Sequence, residues 1–315
     1  MNPRYHVVCV GEPMVEFNQV PGEARRYLQG FGGDTMNAVI AAARQGARTA
    51  YVTRLGDDEF GQWLRALWRT EGVDDAFVAT DPEAPTAVYF VTHGAQGHAF
   101  SYRRAGSAAS RLSPSNLPLE PVRSTALLHT SGITQAISDS ACDAALAAID
   151  AARAAGAGVV YDCNLRTRLW PLARARAVIA ATAGMSDFFL PSLEDARALS
   201  GTHDPQANLD WALALGARHV ALKLGGQGVL ASDGHRTLRV AGHPIECRDA
   251  TGAGDCFAGS FMARMAAGDD FHDALRYANA AAALTCTGFG AVAPIPRPEA
   301  VRALLATQSA AEFHP

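Results

Sequence analysis

Short apolar runs at 7–10, 50–52, 127–128, 159–161, 188–190 and 220–222 punctuate the chain, most of them rich in Val, Tyr and Phe. They are short and continuous, the pattern of strands covered on both faces. Between several of them the pattern is helical, over 35–45, 59–70, 139–155 and 172–183. The alternation predicts an α/β fold built on a doubly wound, mostly parallel sheet. Beyond Asp249 the pattern becomes helical, over 255–267, 271–285 and 297–307.

Two segments break this rhythm. Residues 15–31 and 77–104 hold short alternating stretches without a helix, and 86–92 and 99–103, joined by His93-Gly-Ala-Gln-Gly-His98, read as a hairpin. They predict a small β-sheet, discontinuous in sequence, projecting from the α/β body. Such a sheet would close over substrate as a lid and exclude water. Its exposed strands would also serve as a homo-oligomer contact. No repeat, low-complexity tract or linker divides residues 1–315, so one domain carrying this lid is expected.

Composition then excludes several classes. With 49% hydrophobic and 18% charged residues the chain is not disordered. A net charge of -4 argues against a nucleic-acid partner or an anionic membrane, since both need a basic face. No apolar run has transmembrane length and no charged-then-apolar leader is visible, so a cytoplasmic protein is expected. The cysteines at 9, 142, 163, 247, 256 and 286 have neither C-x-x-C nor zinc spacing, and read as small buried hydrophobes in a reducing compartment. His93 and His98 flank a hairpin tip, and no metal ligands are assigned. Lys223 is the only lysine, the other basic residues being arginine.

The strongest chemical signal is Asp249-Ala-Thr-Gly-Ala-Gly-Asp-Cys-Phe-Ala-Gly259, read as a strand ending at Cys247, a glycine turn, and a helix starting near Asp255. Backbone N–H groups of Gly252, Ala253 and Gly254 would converge at the helix N-terminus, a site for phosphate. Asp255 beside such a site is placed to take a proton from an attacking hydroxyl. A glycine turn with a helix-capping Asp has the same letters. A Rossmann G-x-G-x-x-G would need glycine at Phe257, and a Walker A loop needs Gly before its lysine, where Leu222 stands. Val220-Ala-Leu-Lys223 mimics a protein-kinase strand, but no H-R-D or D-F-G follows. A second cluster, Gly30-Phe-Gly-Gly-Asp-Thr-Met-Asn37, precedes a helix; Gly33 permits close approach to backbone, and Asp34 and Asn37 would hold sugar hydroxyls.

Together these two blocks resemble the signature regions of the ribokinase-like (PfkB-type) carbohydrate kinases. The similarity extends to Gly11-Glu12, Arg54-Leu-Gly-Asp-Asp58, Ser192-Leu-Glu194, residues 223–228 and Asn279. Within the family, Gly11-Glu-Pro-Met-Val-Glu16, Gly30-Phe-Gly-Gly-Asp34, Ser131-Gly-Ile133, Asp162-Cys-Asn-Leu-Arg166 and Arg168-Leu-Trp170 are most similar to the 2-keto-3-deoxygluconate kinases. The resemblance implies a ribokinase-like fold, ATP with Mg²⁺, and phosphorylation of a primary hydroxyl to give 2-keto-3-deoxy-6-phosphogluconate. It implies Gly33, Tyr89, Tyr102, Arg104 and Arg166 around a sugar acid, and Asn164, Ser192, Lys223, Gly225, Gly226, Gly228 and Asn279 around ATP.

Arginine forks grip carboxylates in a bidentate way that a neutral sugar does not require, which independently favours an acid. The 287–291 loop, Thr-Gly-Phe-Gly-Ala, departs from the pattern of some sugar-acid kinases, which carry an aspartate there. Two alternatives stay open: a kinase for a neutral ketose or nucleoside, and a catalytically silent sugar-acid-binding protein on the same fold.

Overall fold

The structure, a computed structural model, describes residues 3–20, 22–23, 25–94 and 97–311. The strands in chain order are β1 (Tyr5–Val10), β2 (Met14–Gln19), β3 (Tyr27–Gly32), β4 (Thr49–Gly56), β5 (Val73–Asp74), β6 (Val78–Asp81) and β7 (Val88–Gly94). They continue with β8 (Gly97–Arg103), β9 (Thr125–Ser131), β10 (Gly158–Asp162), β11 (Phe188–Phe189), β12 (His219–Lys223), β13 (Gly228–Ser232) and β14 (Thr237–Ala241).

The large sheet runs β14-β13-β12-β11-β10-β9-β1-β4-β5, with β6 also paired to β4. It is parallel from β12 through to β5, and antiparallel at the β12–β13–β14 edge. Alternation along β1 explains why its apolar run is unbroken. Val7 and Cys9 face one core, with helices Asp34–Arg44, Ala253–Ala267 and Phe271–Thr285. Val8 and Val10 face a second, with helix Asp139–Ala154. A third core joins β10–β13 to helices Leu172–Gly184, Leu193–Ser200 and Pro205–Ala214.

A separate four-stranded sheet, β3-β2-β7-β8, agrees with the projecting sheet read from the sequence. Its boundaries need correction. Residues 78–81 pair with β4 in the main body, because that strand's far end is otherwise open, so the small sheet's second part begins at Val88 and not at 77. The expected hairpin forms between β7 and β8; residues 95 and 96 of its expected tip lie outside the described residues. The strand expected to end at Cys247 ends at Ala241. Cys247 is exposed and Cys286 half-buried, so the reading of the cysteines as buried hydrophobes holds only for Cys9, Cys142, Cys163 and Cys256. Among the described residues no helix is long and apolar enough to cross a membrane.

Candidate active site

In open α/β sheets the carboxyl ends of parallel strands form the binding crevice. Here Gly11 and Glu12 follow β1, Asp162 ends β10, Ser192 follows β11 and Lys223 ends β12. Two helix N-termini enter the same crevice. One carries Asp34 and Asn37, the other Asp255.

Small residues bring those helices together. A Cβ at Gly259 would lie 2.1 Å from the Ala38 carbonyl oxygen, so only glycine lets the helices approach this closely. The approach sets Asn37 Nδ2 2.8 Å from Asp255 Oδ2, to which it donates. Asp255 does not cap its helix; Gly252, in the left-handed region at φ 77°, occupies that position without any side-chain bond. Burial, reinforced by the Asp34 carboxylate, raises the Asp255 carboxyl from 3.8 to about 7 against the Asn37 amide. A carboxyl with a pKa near neutrality has the chemistry of a proton acceptor at that pH.

The turn before Asp255 is held from both sides. The Asp249 carboxylate accepts the Thr251 N–H and hydroxyl at 2.9 and 2.6 Å, and the Gly290 N–H at 2.9 Å. A side chain at Gly252 would collide with the Ala291 carbonyl, 2.7 Å away. Ala253 N–H bonds the Ala250 carbonyl at 3.2 Å, which closes the turn and corrects the picture of three equally free donors. Gly252 and Gly254 have no such backbone bond among the described residues. A Cβ at Gly254 would stand 3.3 Å from Lys223 Nζ, so the glycine keeps the ammonium open to the turn.

Lys223 Nζ donates to Asp162 Oδ2 at 2.6 Å. Burial works against the ammonium, but Asp162, Asp195 and Asp255 outweigh it and raise its pKa, so it stays charged. Asp162 Oδ1 also accepts the Asn164 N–H at 3.2 Å, and Asn164 takes a positive φ of 35°. Its side chain then donates to Asp34 Oδ2 at 3.0 Å. Asp34 Oδ1 and Asn37 Oδ1 are buried acceptors without a partner among the described residues, the condition of groups awaiting hydroxyl donors.

The small sheet adds a third wall. Tyr102 stacks on Tyr89 at 5.6 Å, and the Arg104 guanidinium lies 5.4 Å from the Tyr102 ring centroid. The Tyr89 hydroxyl donates to Glu16, and Arg104 forms a buried ion pair with Glu12, which also accepts the Ser107 hydroxyl at 3.2 Å. Burial pushes the Glu12 carboxyl above its usual range in spite of Arg104. Gly33, at φ 125°, supports this wall, since a Cβ there would meet the Glu12 carbonyl at 2.3 Å.

Not every expected residue joins the cluster. Arg166 is exposed and donates to the Leu165 carbonyl at 2.9 Å, and among the described residues it has no hydrogen bond to the lid residues. Ser192 caps helix Leu193–Ser200, accepting the Asp195 N–H at 3.1 Å, and bridges to Lys223 through backbone. Gly225, Gly226 and Gly228 form the β12–β13 turn, and a Cβ at Gly228 would strike the Val240 carbonyl at 2.1 Å. Asn279 holds the neighbouring Ala241 carbonyl at 2.8 Å. Sequence reading missed Glu12, Glu16, Asp162 and Asp195 as site groups. The available signal was acidic residues standing at the ends of buried runs. Burial and Asp162 together raise the Asp195 carboxyl. Among the described residues no group of three or more His, Cys, Asp or Glu could hold a metal ion.

A mostly parallel sheet with a separate small sheet above its carboxyl edge defines a ribokinase-like α/β kinase fold. An E. coli protein described as Ribokinase II, solved in complex with ATP and Mg²⁺, shares it at a TM-score of 0.87 and 25% identity, over 96% of this chain and 99% of that one. The chain belongs to the pfkB family of carbohydrate kinases, which it matches over residues 4–298. It is 35% identical over 309 residues to a 2-dehydro-3-deoxygluconokinase of Thermoproteus tenax, covering 95% of this chain and 94% of that protein. It is 33% identical over 307 residues to Fructokinase-1 of Oryza sativa subsp. japonica, covering 92% and 94%.

Proposed function

We propose that this carbohydrate kinase transfers the γ-phosphoryl group of ATP to the primary hydroxyl of a sugar acid. The substrate read here is 2-keto-3-deoxygluconate, and the product 2-keto-3-deoxy-6-phosphogluconate. The observation that carries the reading is Asp255, a buried carboxyl at about 7 beside a glycine turn and a charged lysine. It accepts the hydroxyl proton as the oxygen attacks, while Gly252 and Gly254 N–H groups, with Ala253 sharing its bond, hold charge building on the phosphoryl oxygens. Asp34 and Asn37 turn their unpartnered oxygens to sugar hydroxyls. Tyr89, Tyr102, Arg104 and Gly33 surround the acid under the lid; Arg166, exposed and apart from them in the structure, is the further arginine read for its carboxylate. Asn164, Ser192, Lys223, the 225–228 turn and Asn279 flank the nucleotide.

The donors at Gly252 and Gly254 and the open Lys223 ammonium suit a polyphosphate. Mg²⁺ accompanying ATP would neutralise phosphate charge, and would be held mainly by phosphates and water; Asp162 and Asp195 are the carboxylates that act most strongly on Lys223. Similarity to the T. tenax 2-dehydro-3-deoxygluconokinase, named for the same compound, supports the acid.

A neutral ketose is the second reading. The rice fructokinase is nearly as similar, and Glu12 already neutralises Arg104. ADP formation measured across sugar acids and neutral ketoses tests the choice. A clear kcat/KM preference for 2-keto-3-deoxygluconate is expected, and a preference for fructose would replace the acid reading.

Lys223→Ala is expected to raise the KM for ATP more than the KM for sugar, because the ammonium faces the phosphate turn. Initial rates with each substrate varied check this; an unchanged KM for ATP would restrict Lys223 to pairing Asp162.

A further inference from the structure

Two thiols outside the proposed chemistry sit at the base of the anion turn. Arg248 N–H and Asp249 N–H both bond the Cys286 carbonyl, at 2.8 and 3.3 Å, joining the segment that leads into the turn to the end of helix Phe271–Thr285. This backbone junction sets Cys247 beside Cys286, close enough for the Cys247 thiol to act on its neighbour. Both are free thiols, Cys247 exposed and Cys286 half-buried. A disulfide needs Cα atoms about 4.4–6.8 Å apart, and a backbone bond of 2.8 Å from the residue next to Cys247 to the Cys286 carbonyl makes the two residues neighbours across the junction.

We propose that Cys247 and Cys286 are a reversible dithiol–disulfide site that reacts with low-molecular-weight disulfides. The exposed Cys247 thiolate attacks one sulfur of the small disulfide, whose S–S bond breaks and releases one thiol. Cys286 then gives up its proton and attacks the Cys247 sulfur of the mixed disulfide, releasing the second thiol. The protein's two thiols lose two protons and two electrons in all, and the small disulfide takes them up to become two thiols. Burial, with Cys247 beside it, pushes the Cys286 thiol up to about 11, which suits it to the second step and not the first. The bond would fix residues 247–249 to the start of the loop whose Gly290 N–H holds Asp249. Redox state would thereby reach the anion turn.

The test treats the full chain with oxidised glutathione and reads intact mass, non-reducing peptide maps and amide exchange. Neither the mass nor the exchange depends on which sugar is used. The expected result is a loss of about 2 Da, the two hydrogens released on forming one disulfide. It should be carried by a 247–286 crosslinked peptide, reversed by dithiothreitol, and accompanied by slower exchange at 249–252. Cys286→Ser should stop at the glutathione adduct, and Cys247→Ser should form neither species. A stable adduct on Cys247 in the unaltered protein, a crosslink between other cysteines, or unchanged exchange after closure would overturn the proposal.

Discussion

Asp255→Asn is expected to lower kcat by about 10²–10⁴, the usual cost of losing a general base, while leaving fold and ATP binding intact. The amide is nearly isosteric, and the Asn37 amide that now donates to Asp255 can donate equally to the new side-chain carbonyl. Nothing in the packing need change. What disappears is the acceptor for the hydroxyl proton. The pH profile gives an independent readout. The base works only when unprotonated, and its carboxyl lies near about 7. The free enzyme's kcat/KM should therefore fall about tenfold per pH unit below that value and level off above it. The variant should lose this limb. The same shift means the native state keeps a proton that an unfolded chain releases between 3.8 and about 7, so this group's contribution to stability declines as pH rises through that window. Near wild-type kcat in the variant, with the acidic limb retained, would remove Asp255 from the base role.

The anion turn was legible because its chemistry is local: glycines, a helix start and an acid lie within one short stretch. The parallel strands were legible because burial on both faces leaves continuous apolar runs. Strands β13 and β14 left weaker traces. They form an antiparallel edge, and Thr237, Arg239 and Ala241 face solvent, so no continuous run marks β14. The Val78–Asp81 strand was assigned to the wrong sheet, since a short strand's partner depends on which edge is open in three dimensions. Charge partners were least legible. Asp162 and Lys223 are far apart in sequence, as are Glu12 and Arg104, and only the crossovers of the sheet bring them together. Arg104 was expected to await a ligand. It instead balances a buried carboxylate, because neither charge could be buried alone.

That pairing shapes the test of the substrate. Removing Arg104 outright would strand Glu12 in a buried site, a change that costs about 3–5 kcal/mol when one partner of a buried pair is lost. Arg104→Lys keeps a positive charge against Glu12 but loses the planar fork. Arg166 is exposed and, among the described residues, its one hydrogen bond is to the adjacent Leu165 carbonyl, so Arg166→Ala is expected to fold normally. If these arginines read a carboxylate, each contributes charge-assisted bonds of roughly 1.5–3 kcal/mol. Either variant should then lose about ten- to a hundredfold in kcat/KM on the sugar acid, since about 1.4 kcal/mol is a factor of ten. Residual activity on the matching neutral sugar should barely change. ATP binding to the free enzyme should be unaffected in Arg104→Lys, whose side chain lies against Tyr102 and Glu12. It should weaken modestly in Arg166→Ala, because Arg166 acts on Asp195 near Lys223. The deciding measurement is kcat/KM for an acid and neutral pair in all three proteins. Equal losses on both substrates would mean that the arginines hold the lid or the phosphates, and the neutral ketose would then become the better-supported substrate.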